Sequence, residues 1–190
     1  MGVIVLTGIG ASIAEILLQN QENKLVVVAR SEKPLIELQN KYGKDRVVYV
    51  AGDLSNESIS EKIITTAIDS FGKIDSIIAN AGVLNPVDKI ANAKINEWKE
   101  LFNINFFSIV QLVSNALPHL RSSKGNVVIV SSGASTKYYD AWGAYGSSKA
   151  AINHFAIQLA GEEKDVSIVS VAPGVVDTNM QNDIRDKCKY

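Results

Sequence analysis

The sequence predicts an α/β fold: one domain, residues 1–190, built as a doubly wound parallel sheet with helices on both faces. Three observations carry this. Short apolar runs alternate with amphipathic stretches of helical period along the chain. Most of the runs are followed by a glycine, serine, asparagine or proline of the kind that opens a turn. The residues richest in chemistry, Gly8, Arg30, Asp53, Asn80, Ser132 and Pro173, all fall at the C-terminal ends of those runs. That edge is where open parallel sheets bind ligands.

Val3–Leu6 reads as a buried strand cut off by Thr7-Gly8. Ile9-Gly10 and a helical pattern from Ala11 to Gln19 complete a strand, turn and helix. A glycine turn there lets the backbone approach a pyrophosphate at a helix N-terminus, although a structural turn explains two glycines almost as well. Leu25–Val28 is the second strand, with Ala29-Arg30-Ser31 at its end. In a dinucleotide fold this position meets the adenosine ribose. An acidic residue would bind the 2′-hydroxyl of NAD. Arg30 instead offers a fork-shaped cation suited to the 2′-phosphate of NADP, its bland reading being an exposed arginine after a strand.

Pro34–Tyr42 is an amphipathic helix with its proline near the start. Val47–Val50 is the third strand, ending in Gly52-Asp53-Leu54, and Glu57–Phe71 the next helix. Asp75–Ile78 is the fourth strand, closed by Asn80-Ala81-Gly82. Asn96–Arg121 reads as one long helical stretch that Pro118 kinks or ends. Asn105 lies among its core-type residues, where a buried amide needs partners and is either structural or part of a site. Asn126–Val130 is the fifth strand, Trp142–Glu162 a helix, and Val166–Val171 the sixth strand, leading into Ala172-Pro173-Gly174. No element is read in the polar tail from Asp177.

The chemistry concentrates between Ser131 and Lys149. Tyr145 and Lys149 are four residues apart, so both side chains leave one face of a helix. A phenol has a pKa of about 10, and a nearby ammonium favours its anion, so the pair is suited to proton exchange near neutrality. Ser132, at the end of a strand, presents a hydroxyl that can donate to a substrate oxygen. Tyr-x-x-x-Lys alone occurs by chance in many helices; the surrounding residues give it weight.

Composition narrows the partners. Of the 190 residues 46% are hydrophobic and 21% charged, the balance of a soluble globular domain with a substantial core. A net charge of -1 gives no electrostatic case for nucleic acid or an anionic membrane. The single cysteine, Cys188, excludes an internal disulfide and a thiolate metal cluster. No continuous run of about 18 apolar residues and no leader peptide is found, which fits a cytoplasmic protein. His119 and His154 have no paired ligands at metal spacing, so no metal is expected.

Asn80-Ala81-Gly82, Asn105, Ser132, Tyr145-Gly-Ser-Ser-Lys149 and Pro173-Gly174 together resemble the short-chain dehydrogenase/reductase family over nearly the whole chain. Ser132 lies thirteen residues before Tyr145 and Asn105 forty before it, as in that family. Phe106–Val110, Trp142–Tyr145, Ala150–Phe155 and Ala172–Asp177 resemble, more narrowly, a fungal branch similar to benzil reductase and sepiapterin reductase. The resemblance implies a Rossmann-type domain that transfers hydride from NADP(H) to a ketone or diketone carbonyl. Tyr145 would be the general acid, Lys149 its pKa partner and ribose ligand, Ser132 the carbonyl polariser, and Asn105 the holder of a relay water. Gly8, Ile9, Gly10, Arg30, Ser31, Asp53, Leu54, Asn80, Ala81, Gly82, Pro173, Gly174, Val176 and Thr178 would contact the cofactor with Tyr145 and Lys149. Val83, Leu84, Tyr139 and Trp142 would line the substrate pocket, although the two aromatics read equally well as packing. A homodimer or homotetramer is implied as well.

Two departures stand out. The family's first turn reads Thr-Gly-x-x-x-Gly-x-Gly, whereas Thr7-Gly8 is followed at once by Ile9-Gly10-Ala11. Family members also continue beyond the Pro-Gly motif into a lid and a seventh strand. Both gaps fall on loops, and the expectation is that the encoded protein is longer than these residues. The competing reading is a catalytically defective relative that acts as a binding or regulatory protein.

Overall fold

The computed structural model describes residues 2–8, 11–176 and 180–181. Six strands form one parallel sheet in the order β3-β2-β1-β4-β5-β6. They are β1 (Val3–Thr7), β2 (Lys24–Ala29), β3 (Val47–Ala51), β4 (Ser76–Ala79), β5 (Asn126–Val130) and β6 (Ser167–Val171). The helices between them are α1 (Ala11–Gln19), α2 (Glu32–Tyr42), α3 (Glu57–Phe71), α4 (Ile95–Phe102), α5 (Ser108–Ser123) and α6 (Gly143–Glu162).

The winding is double because alternate residues of each strand feed two cores. Val5, Val26, Val28, Ile77 and Ile129 point to one face, where they pack with Ile63 of α3, Leu112 of α5 and Ile152 of α6. Ile4, Leu6, Leu25 and Val27 point to the other, against Leu18 of α1 and Leu35 of α2. A strand covered on both faces reads as a continuous apolar run, which is why β1 and β2 lack alternation. Order reverses between β1 and β4, so the crevice beyond Thr7 and Ala79 is the natural ligand position.

Helix ends follow from local chemistry. Asn56 caps α3 by accepting from the Ser58 amide at 3.1 Å, and Gly72 closes it at φ 76. Helix α2 begins at Glu32, two residues before Pro34, because a proline in the first turn removes an N–H that the helix leaves unpaired anyway.

The expected single helix over 96–121 is broken differently. A π-helical turn, Asn103–Phe107, separates α4 from α5. Pro118 does not end the helix, which continues to Ser123. Ala116 and Leu120, both fully buried on either side of the proline, hold this segment by packing, and that outweighs one missing hydrogen bond. Taken whole, Ile95–Ser123 is long and apolar enough, by length and composition, to cross a membrane, which a search for one continuous apolar run does not reveal. In the fold its apolar side is used internally, with Leu101, Ile109, Leu112 and Val113 buried.

Candidate active site

At the ends of β1, β2, β3 and β4 a cavity of about 200 Å³ is lined by Gly8, Arg30, Ser31, Asp53, Leu54, Ala81 and Gly82. All seven are residues the sequence assigned to a nucleotide. Gly8 has φ 75, donates to Val28 O at 2.9 Å, and a Cβ on it would lie 2.9 Å from Ala81 Cα. The close approach of the two turns therefore requires glycine. Asn80 joins this packing: its amide donates to Thr7 Oγ1 at 3.2 Å, and the Ala81 amide donates to the same oxygen at 3.3 Å.

Asp53 accepts from the amide and hydroxyl of Ser55 at 2.9 and 2.8 Å. Those bonds, with a smaller contribution from Arg30, hold its carboxyl below the usual range. The pocket thus presents a fixed anion and an arginine side by side. These residues fit a dinucleotide's adenosine end, with the glycine cradle at Gly8 leaving room for backbone to approach phosphate. Pro173, Gly174 and Val176 follow β6, are exposed and do not line this cavity. Ile9, Gly10 and Thr178 lie outside the described residues.

Ser132, Tyr145 and Lys149 come together where β5 meets α6. Ser132 follows β5, and its Oγ accepts from the Ala134 amide at 3.2 Å. Its side chain lies close enough to the Tyr145 hydroxyl to favour the phenolate. Tyr145 is 7% exposed and Lys149 3%. Lys149 Nζ lies 5.7 Å from the Tyr145 ring centroid and donates to Val130 O at 2.8 Å. Burial pushes the lysine down to about 8.

The expected depression of the tyrosine is overturned. Burial raises the Tyr145 pKa, opposed only by the Ser132 side chain. Lys149, itself lowered to about 8, is neutral before a phenol raised above 10 ionises, so no ammonium is left to offset the desolvation.

Asn105, fully buried in the π turn, has partners for both N–H groups and for its oxygen. Oδ1 accepts from the Val83 amide at 2.8 Å, and Nδ2 donates to Val83 O at 2.9 Å and Ser148 Oγ at 3.2 Å. Val83 and Leu84, expected in the substrate pocket, do not border the cavity of Tyr139 and Trp142: Val83 lines the cavity of Gly8 and Asp53 instead, and Leu84 is buried with Leu101 and Tyr145.

Tyr139 and Trp142 border a second cavity of about 500 Å³ between the Asp88–Ile90 and Ala134–Trp142 segments. Their rings stack at 5.0 Å, and Trp142 meets Tyr145 edge-on at 5.7 Å. Ala141, at φ 62, turns the chain so that its carbonyl accepts from the Asp88 amide at 3.0 Å. Sequence reasoning gave no role to Thr7, Gly52, Ile104 or Ser148. Thr7, Gly52 and Ser148 stand inside quoted motifs; nothing in the pattern marks Ile104 as cavity lining.

A parallel Rossmann-type sheet with a cavity at its switch point, and a half-buried serine near a buried tyrosine–lysine pair, has the build of a dinucleotide-dependent oxidoreductase. The profile of the short chain dehydrogenase family matches residues 4–189, and the chain belongs to that family. An uncharacterized oxidoreductase of Saccharomyces cerevisiae is 53% identical over 180 residues, covering 94% of this chain and 70% of the relative. The benzil reductase ((S)-benzoin forming) of the same yeast is 47% identical over 188 residues, covering 94% of this chain and 72% of the relative. The crystal structure of a short-chain dehydrogenase/reductase from Saccharomyces cerevisiae superposes with a TM-score of 0.97 at 49% identity, covering 100% of this chain and 76% of that one.

Proposed function

We propose that this chain reduces the carbonyl of a ketone or diketone, of the kind a benzil reductase accepts, at the expense of NADPH. The observation that carries the reading is the largely buried Tyr145, its hydroxyl neighboured by Ser132 and its ring flanked by Lys149. Burial keeps the phenol protonated at neutral pH, the form a general acid needs for reduction. Tyr145 then gives its proton to the carbonyl oxygen while the Ser132 hydroxyl polarises that oxygen. Lys149, held by Val130, sets the field beneath the ring. The nicotinamide, when bound, supplies the hydride. Arg30 supports NADPH over NADH, since its guanidinium borders the pocket where a 2′-phosphate would sit.

The stacked Tyr139 and Trp142 supply a flat apolar wall suited to an aryl ketone or diketone. The reading extends to a cytoplasmic homodimer or homotetramer, which sedimentation tests.

The deciding experiment is NADPH oxidation with a panel of aryl ketones and diketones, comparing the wild type with Tyr145→Phe. The variant should lose turnover by a factor of about a hundred or more while NADPH binding persists. Undiminished turnover in the variant contradicts the role of Tyr145. A wild type that binds no dinucleotide favours the defective relative.

A further inference from the structure

Two adjacent serines in the Tyr-Gly-Ser-Ser-Lys segment have opposite fates. Ser147 is exposed at the rim of the aromatic cavity, whereas Ser148 is fully buried. The Ser148 hydroxyl donates to the main-chain carbonyl of Tyr145 at 2.8 Å and accepts from Asn105 Nδ2 at 3.2 Å. Its proton is thereby committed to α6, and its lone pair is aimed at the π turn.

Asn105 is the other half of this bracket. Its amide grips both backbone polar groups of Val83, and its one remaining N–H goes to Ser148. The chain of bonds thus runs from the segment after β4, through the π turn, to the first turn of α6. That first turn carries Tyr145, and the residue after Ser148 is Lys149. A π turn has looser backbone geometry than the helices it joins, so a side-chain tie fixes its rotation relative to α6.

We propose that Ser148 is a positioning residue: it sets the register of Asn105 against Tyr145 and Lys149, and so the geometry of proton delivery to the substrate oxygen. This inference rests on the reductase reading. Removing the hydroxyl leaves a buried N–H of Asn105 without an acceptor, and the amide must shift to find one. Tyr145 and Lys149 keep their own side chains and their own burial. Dinucleotide binding should change less than turnover, because Ser148 itself lines neither cavity and reaches the nearer one only through the hold of Asn105 on Val83.

The test compares the wild type with Ser148→Ala, Ser148→Cys and Ser148→Thr, measuring kcat, KM for NADPH and the pH profile of kcat for a diketone the wild type reduces. Ser148→Ala should lower kcat about tenfold, leave KM for NADPH within about twofold, and displace a limb of the pH profile. Ser148→Thr should restore much of the rate, because a helical threonine hydroxyl can make the same bond to the preceding turn. Ser148→Cys, which fills the site but is a poor donor and acceptor, should behave like the alanine variant and carries the test if that variant does not fold. Unchanged kcat and pH profile in folded Ser148→Ala or Ser148→Cys overturns the inference. So does a loss of kcat and NADPH affinity in step with lost folded protein, without rescue by threonine. A wild type that reduces no carbonyl sinks the reductase reading, and this inference with it; an active wild type with indifferent variants sinks this inference alone.

Discussion

Lys149 donates through Nζ to the main-chain carbonyl of Val130 at 2.8 Å, and burial, not a carboxylate, governs its titration. Its pKa falls from the ordinary 10.5 to about 8. The folded protein therefore releases this proton before the unfolded chain does. Stability from the group is complete above the unfolded value and is lost as pH falls through the folded value. At neutral pH the buried ammonium opposes folding by about 3 kcal/mol. Lys149→Met should accordingly raise unfolding free energy by about 1–3 kcal/mol at neutral pH, less any loss from the freed Val130 carbonyl. The gain should shrink as pH rises above about 8, and turnover should vanish. Urea unfolding at neutral and alkaline pH checks this; a variant less stable at neutral pH contradicts it.

The ends of α3 and α5 make a matched pair. Gly72 closes α3 at φ 76, whereas Lys124 closes α5 at φ 48, a left-handed conformation that disfavours side chains. Lys124→Gly should stabilise the protein by about 0.5–1 kcal/mol, the relief of strain being partly offset by the flexibility of glycine in the unfolded chain. Gly72→Ala, with open space around its Cβ, should cost about 1 kcal/mol from backbone strain alone. Thermal unfolding of both variants gives the signs; equal signs would refute the backbone explanation.

Gly8 is constrained twice over, by φ 75 and by Ala81 Cα at 2.9 Å from any Cβ placed on it. Gly8→Ala must push the Asn80-Ala81-Gly82 turn away from β1. It should cost about 2 kcal/mol or more in stability and weaken dinucleotide binding at least about tenfold. Fluorescence titration with NADPH reads the second effect. Intact affinity would mean that this turn does not shape the pocket.

Much of this could be read from residue order because strands buried on both faces announce themselves as apolar runs, and the special residues at their ends share one edge by topology. Arg30, Asp53 and Ala81 are far apart in sequence yet line one cavity for that reason. The π turn at Asn103–Phe107 was not legible, since one extra residue in a helical turn barely disturbs an apolar period. Pro118 misled because its cost is local, while the packing that overrides it comes from residues distant in sequence. The direction of the Tyr145 shift was missed for a similar reason. Sequence spacing places Lys149 near the ring but says nothing of desolvation, which dominates.

In the proposed function, cofactor choice turns on Arg30. The guanidinium borders the same cavity as Ser31 and Asp53, and its charge contributes to holding the Asp53 carboxyl low. A 2′-phosphate there would gain a charge-assisted, fork-shaped contact that a 2′-hydroxyl cannot use fully. Arg30→Ala should therefore raise Kd for NADPH by about tenfold to a hundredfold and change Kd for NADH by less than about twofold. Arg30→Glu should go further and favour NADH, since a carboxylate repels the phosphate and accepts from a ribose hydroxyl. Direct binding titrations with both dinucleotides need no knowledge of the carbonyl substrate. Equal losses for the two in Arg30→Ala would mean that the arginine supports the pocket without reading the phosphate, and the proposed use of NADPH would lose its support.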